Sequence, residues 1–290
     1  MLTPQQALQR MKADIQLRGL SKSTHDSYLT HARMFLDYCN RPIDDLTEMD
    51  VRRFLGQLVV EKKLKPKTVN CYSAAIRFFF AVTLNRTMNY LQIPRVKVPK
   101  ELPEILTRDE MSQIIGKCSN IKHRALLLLA YGSGLRVGEL ASLKVKDIES
   151  DSMRVFVRGG KGKKDRYTIL SENALFALRD YWRKYRPRSP VGFLFPGMKN
   201  VGHITESAIA TAIENVCVRA AITKNITPHT MRHCFATHLL EDGYSLLQIK
   251  EMLGHCSIQS TTIYLHLANT TSGVTSPADK ISAKFEDCPL

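Results

Sequence analysis

The chain has 290 residues, 44% apolar and 24% charged, the balance of a soluble globular protein with room for two domains. Its net charge of +15 favours a polyanion, most simply nucleic acid or an acidic membrane, with a merely basic protein as the plainer alternative. No apolar run approaches the ~20 residues of a membrane span. The seven cysteines are odd in number and lack framework spacing, so reduced thiols in a cytoplasmic protein without a signal peptide are expected.

Residues 3–85 predict four helices. Thr3-Pro4-Gln5-Gln6 is a capping-box start, followed by Leu8, Met11 and Ile15 at helical spacing. Arg18-Gly19-Leu20 stops that helix. Ser21 or Ser23 caps the second, with Tyr28, Phe35 and Leu36 inward. Thr47 or Asp50 caps the third, which carries Val51, Phe54, Leu55 and Leu58. Pro66 opens the fourth, with Val69, Tyr72, Ile76 and Phe79 on its stripe. This small all-α unit is studded with Lys22, Arg33, Arg52, Arg53, Lys62, Lys63, Lys65, Lys67 and Arg77. Lys65 and Lys67 flank a helix start and could meet phosphates; many of the others are solvated basic faces. From 86 to 104 the helical period is lost. Arg86, Arg95, Lys97 and Lys100 mix with Pro94, Pro99 and Pro103, the composition of a stiff basic linker able to follow a nucleic-acid backbone.

Thr107-Arg-Asp-Glu110 is a second capping box and opens the next domain. A buried Leu- and Ala-rich helix from His123 to Tyr131 follows. Gly132 and Gly134 are expected to break it, and Leu135 to restart another, which puts Arg136 near a helix N-terminus with Glu139 three residues on to orient it. An exposed ion pair is the plainer alternative for those two. Met153–Arg158 and Arg166–Leu170 alternate with period two, so they predict a β-hairpin whose tip, Gly159 to Asp165, carries Lys161, Lys163 and Lys164. The tip lacks the order of a P-loop, which argues against a nucleoside triphosphate.

Ser171 caps a helix holding Trp182, and Thr205 caps another to about Arg219. The stretch Ile226 to His238 is a helix start with Thr227 at the N-cap and Pro228 at the first helical position. His229 and Arg232, three apart, share one face at an end that attracts anions, while Met231, Phe235 and Leu239 turn inward. Arg binds phosphate oxygens with a planar fork. Ser245 caps a last helix closed by Gly254. His255 stands directly after it, and Tyr264 past a Ser/Thr-rich turn.

GLRVGEL at 134–140, GKGKKDR at 160–166, HTMRH at 229–233, LGH at 253–255 and TTIYLHL at 261–267 occur in that order. Together they resemble the tyrosine recombinases: phage integrases, integron integrases and above all the compact Xer-type enzymes. The resemblance covers nearly the whole chain. It implies a mainly α protein: a SAM-like four-helix core-binding domain over 1–86, a basic linker over 87–104, an α+β catalytic domain with a small antiparallel sheet over 105–275, and a tail over 276–290. Carried over residue by residue, the catalytic set falls on Arg136, Lys161, His229, Arg232, His255 and Tyr264, with Glu139 supporting. Lys163 and Lys164 stand close beside Lys161 as rivals. DNA contacts are expected from Lys22, Lys65, Lys67, Arg77, Lys97, Lys163 and Lys164.

The activity so implied is site-specific recombination. Tyr264 attacks a phosphodiester to give a 3′-phosphotyrosyl link and a free 5′-hydroxyl, while Arg136, Arg232 and His255 hold the developing charge. His229 serves as base or relay and Lys161 as the acid. The bond energy is stored in the covalent link, so no cofactor and no metal are implied. The expected partner is a double-stranded recombination site, met by a homotetramer that is a monomer in solution, in the cytoplasm at the nucleoid, with no membrane. The role is integration or excision of a mobile element, or Xer-type resolution. Ala278, Ile281, Ser282 and Phe285 in the tail form a small apolar face expected to dock on a neighbouring protomer. The rival is a non-catalytic DNA-binding protein on the same fold. A metalloprotein using His229, His233, Cys234, His238, His255 and Cys256 is disfavoured, because neither CxxC nor HExxH order is present.

Overall fold

A computed structural model describes residues 2–89, 93, 95–99, 102–159, 165–187 and 189–268. The chain divides into two compact units, Met1–Lys100 and Glu101–Leu290.

Among the described residues the first unit holds four α-helices, each started by the residue its sequence offers, and one 3₁₀ turn at Ile43–Asp45. α1 (Pro4–Leu17) has a reciprocal cap between Thr3 and Gln6, and α2 (Lys22–Cys39) is capped by Ser21. α3 (Glu48–Val60) begins with Thr47 and Asp50 in a capping box. Asp50 is buried beneath Arg41, which donates to it. α4 (Pro66–Phe78) has proline at its first position and runs on into a π-turn, Phe79–Thr83. The apolar stripes of α1 to α4 meet in a core of Met11, Ile15, Phe35, Phe54, Ile76, Phe79 and Phe80. Phe35 meets Phe54 and Phe80 edge-on, with centroids 5.5 and 6.0 Å apart. Each such side chain stabilises the unit by roughly 1.5–3 kcal/mol. The start of the basic stretch after residue 85 is held by this unit. Arg86 donates to the carbonyls of Ile43 and Leu46, and the Asn70 amide donates to Val96 O and accepts from Val96 N.

The second unit begins with α5 (Arg108–Lys117), capped by Thr107 and Glu110, and α6 (Ile121–Ser133). α6 runs through Gly132, contrary to the expected break. Gly132 keeps helical geometry, and its bare Cα lies against Ser171, where a Cβ would come within 2.9 Å of the hydroxyl. The left-handed residue that ends the helix is Gly134 (φ +59°), followed by α7 (Val137–Ser142). The sheet has three antiparallel strands in sequence order: β1 (Ile148–Glu149), β2 (Arg154–Val157) and β3 (Arg166–Ile169). Ile148 pairs with Val155, and Val155 with Thr168. Val155 and Val157 point into the core, as the alternation requires. The turn that carries the three lysines at 161, 163 and 164 lies outside the described residues.

α8 (Glu172–Tyr185), α9 (Glu206–Arg219), α10 (Pro228–Glu241) and α11 (Leu246–Leu253) complete the unit, capped by Ser171, Thr205, Thr227 and Ser245. Two short 3₁₀ turns follow, Ile258–Ser260 and Thr262–His266. Leu126, Leu127, Leu129, Val155, Val157 and Ile213 share one core. α10 is buried on nearly every side, so that Thr230, Arg232, Thr237 and His238 lie inside with the apolar stripe. The expected tail helix at 276–290 lies outside the described residues.

Candidate active site

The site is built on the turn between α6 and α7. Gly134 sits in the left-handed region, and a Cβ there would come within 2.3 Å of the Phe235 ring, so only glycine fits. Arg136, the N-cap of α7, donates from Nη1 to Glu139 Oε1 at 2.8 Å, and its backbone N–H donates to Oε2 at 2.9 Å. The i,i+3 pairing expected from the sequence is therefore present, with the Arg136 side chain 27% exposed.

Glu139 has a second cation that local spacing could not reveal. Arg166, on β3, donates from Nη1 and Nη2 to the two Glu139 oxygens at 2.9 and 2.7 Å, and from Nε to the Met252 carbonyl at 2.8 Å. Both side chains are 9% exposed. Burial alone would raise the Glu139 pKa. Hydrogen bonds from Arg166 and from the Arg136 backbone outweigh it and hold the carboxylate at about 2. Arg166 lies across Gly254, the left-handed C-cap of α11, where a Cβ would come within 2.7 Å of Arg166 Cδ. Arg166 thus joins the sheet, α7 and the end of α11.

Arg232 projects from α10 into the same region. It is 1% exposed, and its guanidinium donates to the carbonyls of Gly134 at 2.7 Å and Leu253 at 2.6 Å. The two glycine-containing turns therefore fix the arginine. Burial first, and the charge of Arg136 second, lower its pKa to about 10, which leaves it cationic at neutral pH. His229, at the start of α10, lies with its ring centroid 4.3 Å from that of His233. Burial and the neighbouring His229 push His233 down to about 4, and its Nδ1 is buried with no hydrogen-bond partner among the described residues.

His255 follows Gly254. Burial, then Arg232, Arg136 and Arg166, lower its pKa to about 4, so the ring is neutral at physiological pH. Its Nδ1 lies 2.9 Å from the Thr261 hydroxyl. Tyr264 is held on the second 3₁₀ turn, 1% exposed, packed with Phe235, Leu239, Ile249 and Leu253. Its ring lies 6.4 Å from His255, nearly parallel, and 5.6 Å from His233. Burial raises the phenol pKa, while the charges of Arg232 and Arg136 pull it back.

Five of the six expected catalytic residues thus converge: Arg136, His229, Arg232, His255 and Tyr264. The sixth, Lys161, lies outside the described residues with Lys163 and Lys164. In the first unit, Lys22, Lys65, Lys67 and Lys97 are exposed, whereas Arg77 donates to the carbonyl of Ile93. Cys234 Sγ accepts from Leu106 N–H, and His238 bridges the Tyr131 hydroxyl and the Leu106 carbonyl. Among the described residues no three His, Cys, Asp or Glu side chains are grouped to hold a metal ion. Arg166 and Thr261 escaped the sequence. Arg166 stands in the quoted GKGKKDR run, but its partner is 27 positions away.

The chain is similar to known proteins over nearly its whole length. The phage integrase family model matches residues 104–271, and the model for the phage integrase N-terminal SAM-like domain matches 7–90. A putative integrase/recombinase of Sinorhizobium fredii is 41% identical over 271 residues, covering 93% of this chain and 87% of that protein. Tyrosine recombinase XerA of Pyrococcus horikoshii is 32% identical over 258 residues, 89% of this chain and 87% of its own length. The crystal structure of XerH recombinase bound to a palindromic difH substrate, a post-cleavage complex, has the same fold. Its TM-score is 0.71 at 20% identity, covering 88% of this chain and 79% of that one.

Proposed function

Since the chain belongs to the phage integrase family and is a tyrosine-type site-specific DNA recombinase, we propose that Tyr264 breaks and rejoins the DNA strand through a 3′-phosphotyrosyl intermediate. The observation that carries this is the convergence of Arg136, Arg232 and His255 around a tyrosine, with Glu139 and Arg166 bracing the first arginine.

Tyr264 Oη attacks phosphorus; the new P–O bond forms as the P–O5′ bond breaks. The phenol must lose its proton, and its raised pKa makes a relay necessary; His229 is the candidate. Charge builds on the non-bridging oxygens as attack proceeds. Arg232, already fixed by two carbonyls, and Arg136, fixed by Glu139, meet that charge with donors that need no reorganisation. His255, neutral at physiological pH, adds a hydrogen bond rather than a charge. The leaving 5′-oxygen takes a proton from Lys161. The reverse reaction with another strand's 5′-hydroxyl restores the phosphodiester without an external energy source.

The first unit, over 1–86, acts as the core-binding domain and the basic stretch over 87–104 as its linker to the catalytic domain at 105–275. Lys22, Lys65, Lys67 and Lys97 contact phosphates, with Lys163 and Lys164 at the hairpin; Arg77 contributes beside its bond to Ile93. Exchange between two duplexes needs four nucleophiles, so four protomers assemble on two sites. The enzyme works on DNA in the cytoplasm, for integration or excision of a mobile element or for Xer-type resolution. The non-catalytic alternative predicts no covalent adduct. Mixing the protein with a nicked target duplex, which releases the cleaved end, is expected to trap a protein–DNA adduct. Tyr264→Phe is expected to bind the same DNA and form none; an adduct with that variant would overturn the assignment.

A further inference from the structure

We infer that Thr261 is a positioning residue of this site: its hydroxyl holds His255 as the imidazole whose proton is on Nε2, and its backbone ties that imidazole to the turn bearing Tyr264. The inference rests on the assignment of His255 as a phosphate donor and Tyr264 as the nucleophile.

A neutral imidazole has one N–H and one lone pair, and which nitrogen holds the proton is set by the partner of the other. The contact of 2.9 Å between His255 Nδ1 and Thr261 Oγ1 is compatible with either direction of donation. The surroundings decide it. Thr261 is fully buried, and His255 is the only hydrogen-bond partner of its hydroxyl among the described residues. If Nδ1 carried the proton, Thr261 would accept, and its own O–H would be left in the interior without an acceptor. That state is disfavoured by about tenfold or more. If Thr261 donates, its proton and the Nδ1 lone pair are both satisfied, and Nε2 holds the imidazole proton.

The consequence is chemical. The ring is neutral because it is buried among Arg232, Arg136 and Arg166, so its charge offers nothing to a phosphate. Its usefulness depends on the tautomer. Nε2–H donates to a non-bridging oxygen; the other tautomer presents a lone pair to an anion and opposes it. The same residue also touches the nucleophile's turn. The Thr261 carbonyl accepts from Tyr264 N–H at 3.1 Å, and its own N–H donates to Ile258 O at 2.7 Å. The neighbouring Thr262 hydroxyl is directed to Gln259 O at 3.0 Å, so the threonines of this turn are not interchangeable.

The test uses full-length protein. ¹⁵N spectra of histidine-labelled protein, with the His255 signals identified by their loss in His255→Gln, read the tautomer directly. Wild type is expected to show a pyridine-type Nδ1 and a pyrrole-type Nε2. Thr261→Ser should keep that pattern, and Thr261→Val, isosteric but without a donor, should shift the Nδ1 resonance downfield, as a pyridine-type nitrogen does when its lone pair loses a hydrogen bond. In single-turnover cleavage of a nicked duplex, Thr261→Val is expected to be about 10–100-fold slower at unchanged DNA affinity, by analogy with the outer partners that orient metal-bound histidines. Thr261→Ser should restore the rate. A pyrrole-type Nδ1 in wild type overturns the inference, even if the valine variant fails to fold. So does wild-type cleavage by Thr261→Val, and if His255→Ala is then slow, the catalytic role of His255 still stands. A wild-type rate in His255→Ala would instead remove the assignment on which the inference rests.

Discussion

Glu139 receives two arginines inside the protein, so replacing it by glutamine has a cost that can be worked out. In the folded state its pKa is held at about 2, against 4.5 for an ordinary glutamate. At ~1.4 kcal/mol per pH decade, that difference corresponds to about 3 kcal/mol of stability at neutral pH. The carboxylate and Arg166 are each only 9% exposed, so solvent screening reduces the figure little. It falls in the range of about 3–5 kcal/mol for breaking a buried pair and leaving one charge unpaired. Because the folded-state pKa is the lower one, this stability is fully present above pH 4.5 and is lost as pH falls toward 2. Trp182, the one tryptophan, lies on α8 of the same unit, so its fluorescence reports the unfolding that matters. With a urea slope of ~3 kcal/mol/M, Glu139→Gln should lower the midpoint by about 1 M at pH 7. The gap between variant and wild type should shrink to roughly half by pH 3. A gap that stays constant from pH 7 to pH 3, or a midpoint unchanged at pH 7, would refute the reasoning.

Lysine at position 136 or 232 keeps a charge and loses the fork, so each change should slow cleavage by about 10²-fold or more while DNA affinity, measured by mobility shift, changes little. Lys161→Ala should be rescued on a substrate with a 5′-bridging sulfur, whose leaving group needs no proton; rescue confined to the Lys163→Ala or Lys164→Ala variant would move the acid along the hairpin. Gly134→Ala forces a left-handed backbone and a side chain against Phe235, and should cost more than the ~1 kcal/mol of an ordinary glycine replacement, read from the Trp182 unfolding midpoint.

What the sequence disclosed depended on the range of each interaction. Helix starts were legible because their partners are three residues apart: Thr3 with Gln6, Thr107 with Glu110, Ser245 with Gln248. Arg136 with Glu139 was legible for the same reason. The strands of the hairpin showed their alternation, but β1 has two residues, too few for a period to register. The end of α6 was misplaced by two residues because two glycines competed, and only the backbone tells them apart: Gly134 takes the left-handed conformation that ends the helix and Gly132 does not. α10 looked amphipathic, yet its polar His238 and Thr237 are buried, because segments distant in sequence cover them. Arg166 and Thr261 had no local signal. One meets a carboxylate 27 residues away, and the other is one hydroxyl among several in a Ser/Thr-rich turn.

The account stands on the identity of the nucleophile, and peptide mapping of the trapped adduct tests it most directly. Trypsin should release residues 251–280 as one peptide with a single tyrosine, Tyr264, and residues 233–250 as another with Tyr244. After nuclease digestion, the nucleotide phosphate is expected on the 251–280 peptide, attached to Tyr264 through the 3′ end of the cleaved strand. A phosphate on Tyr244, on any other side chain, or linked through a 5′ end would contradict it.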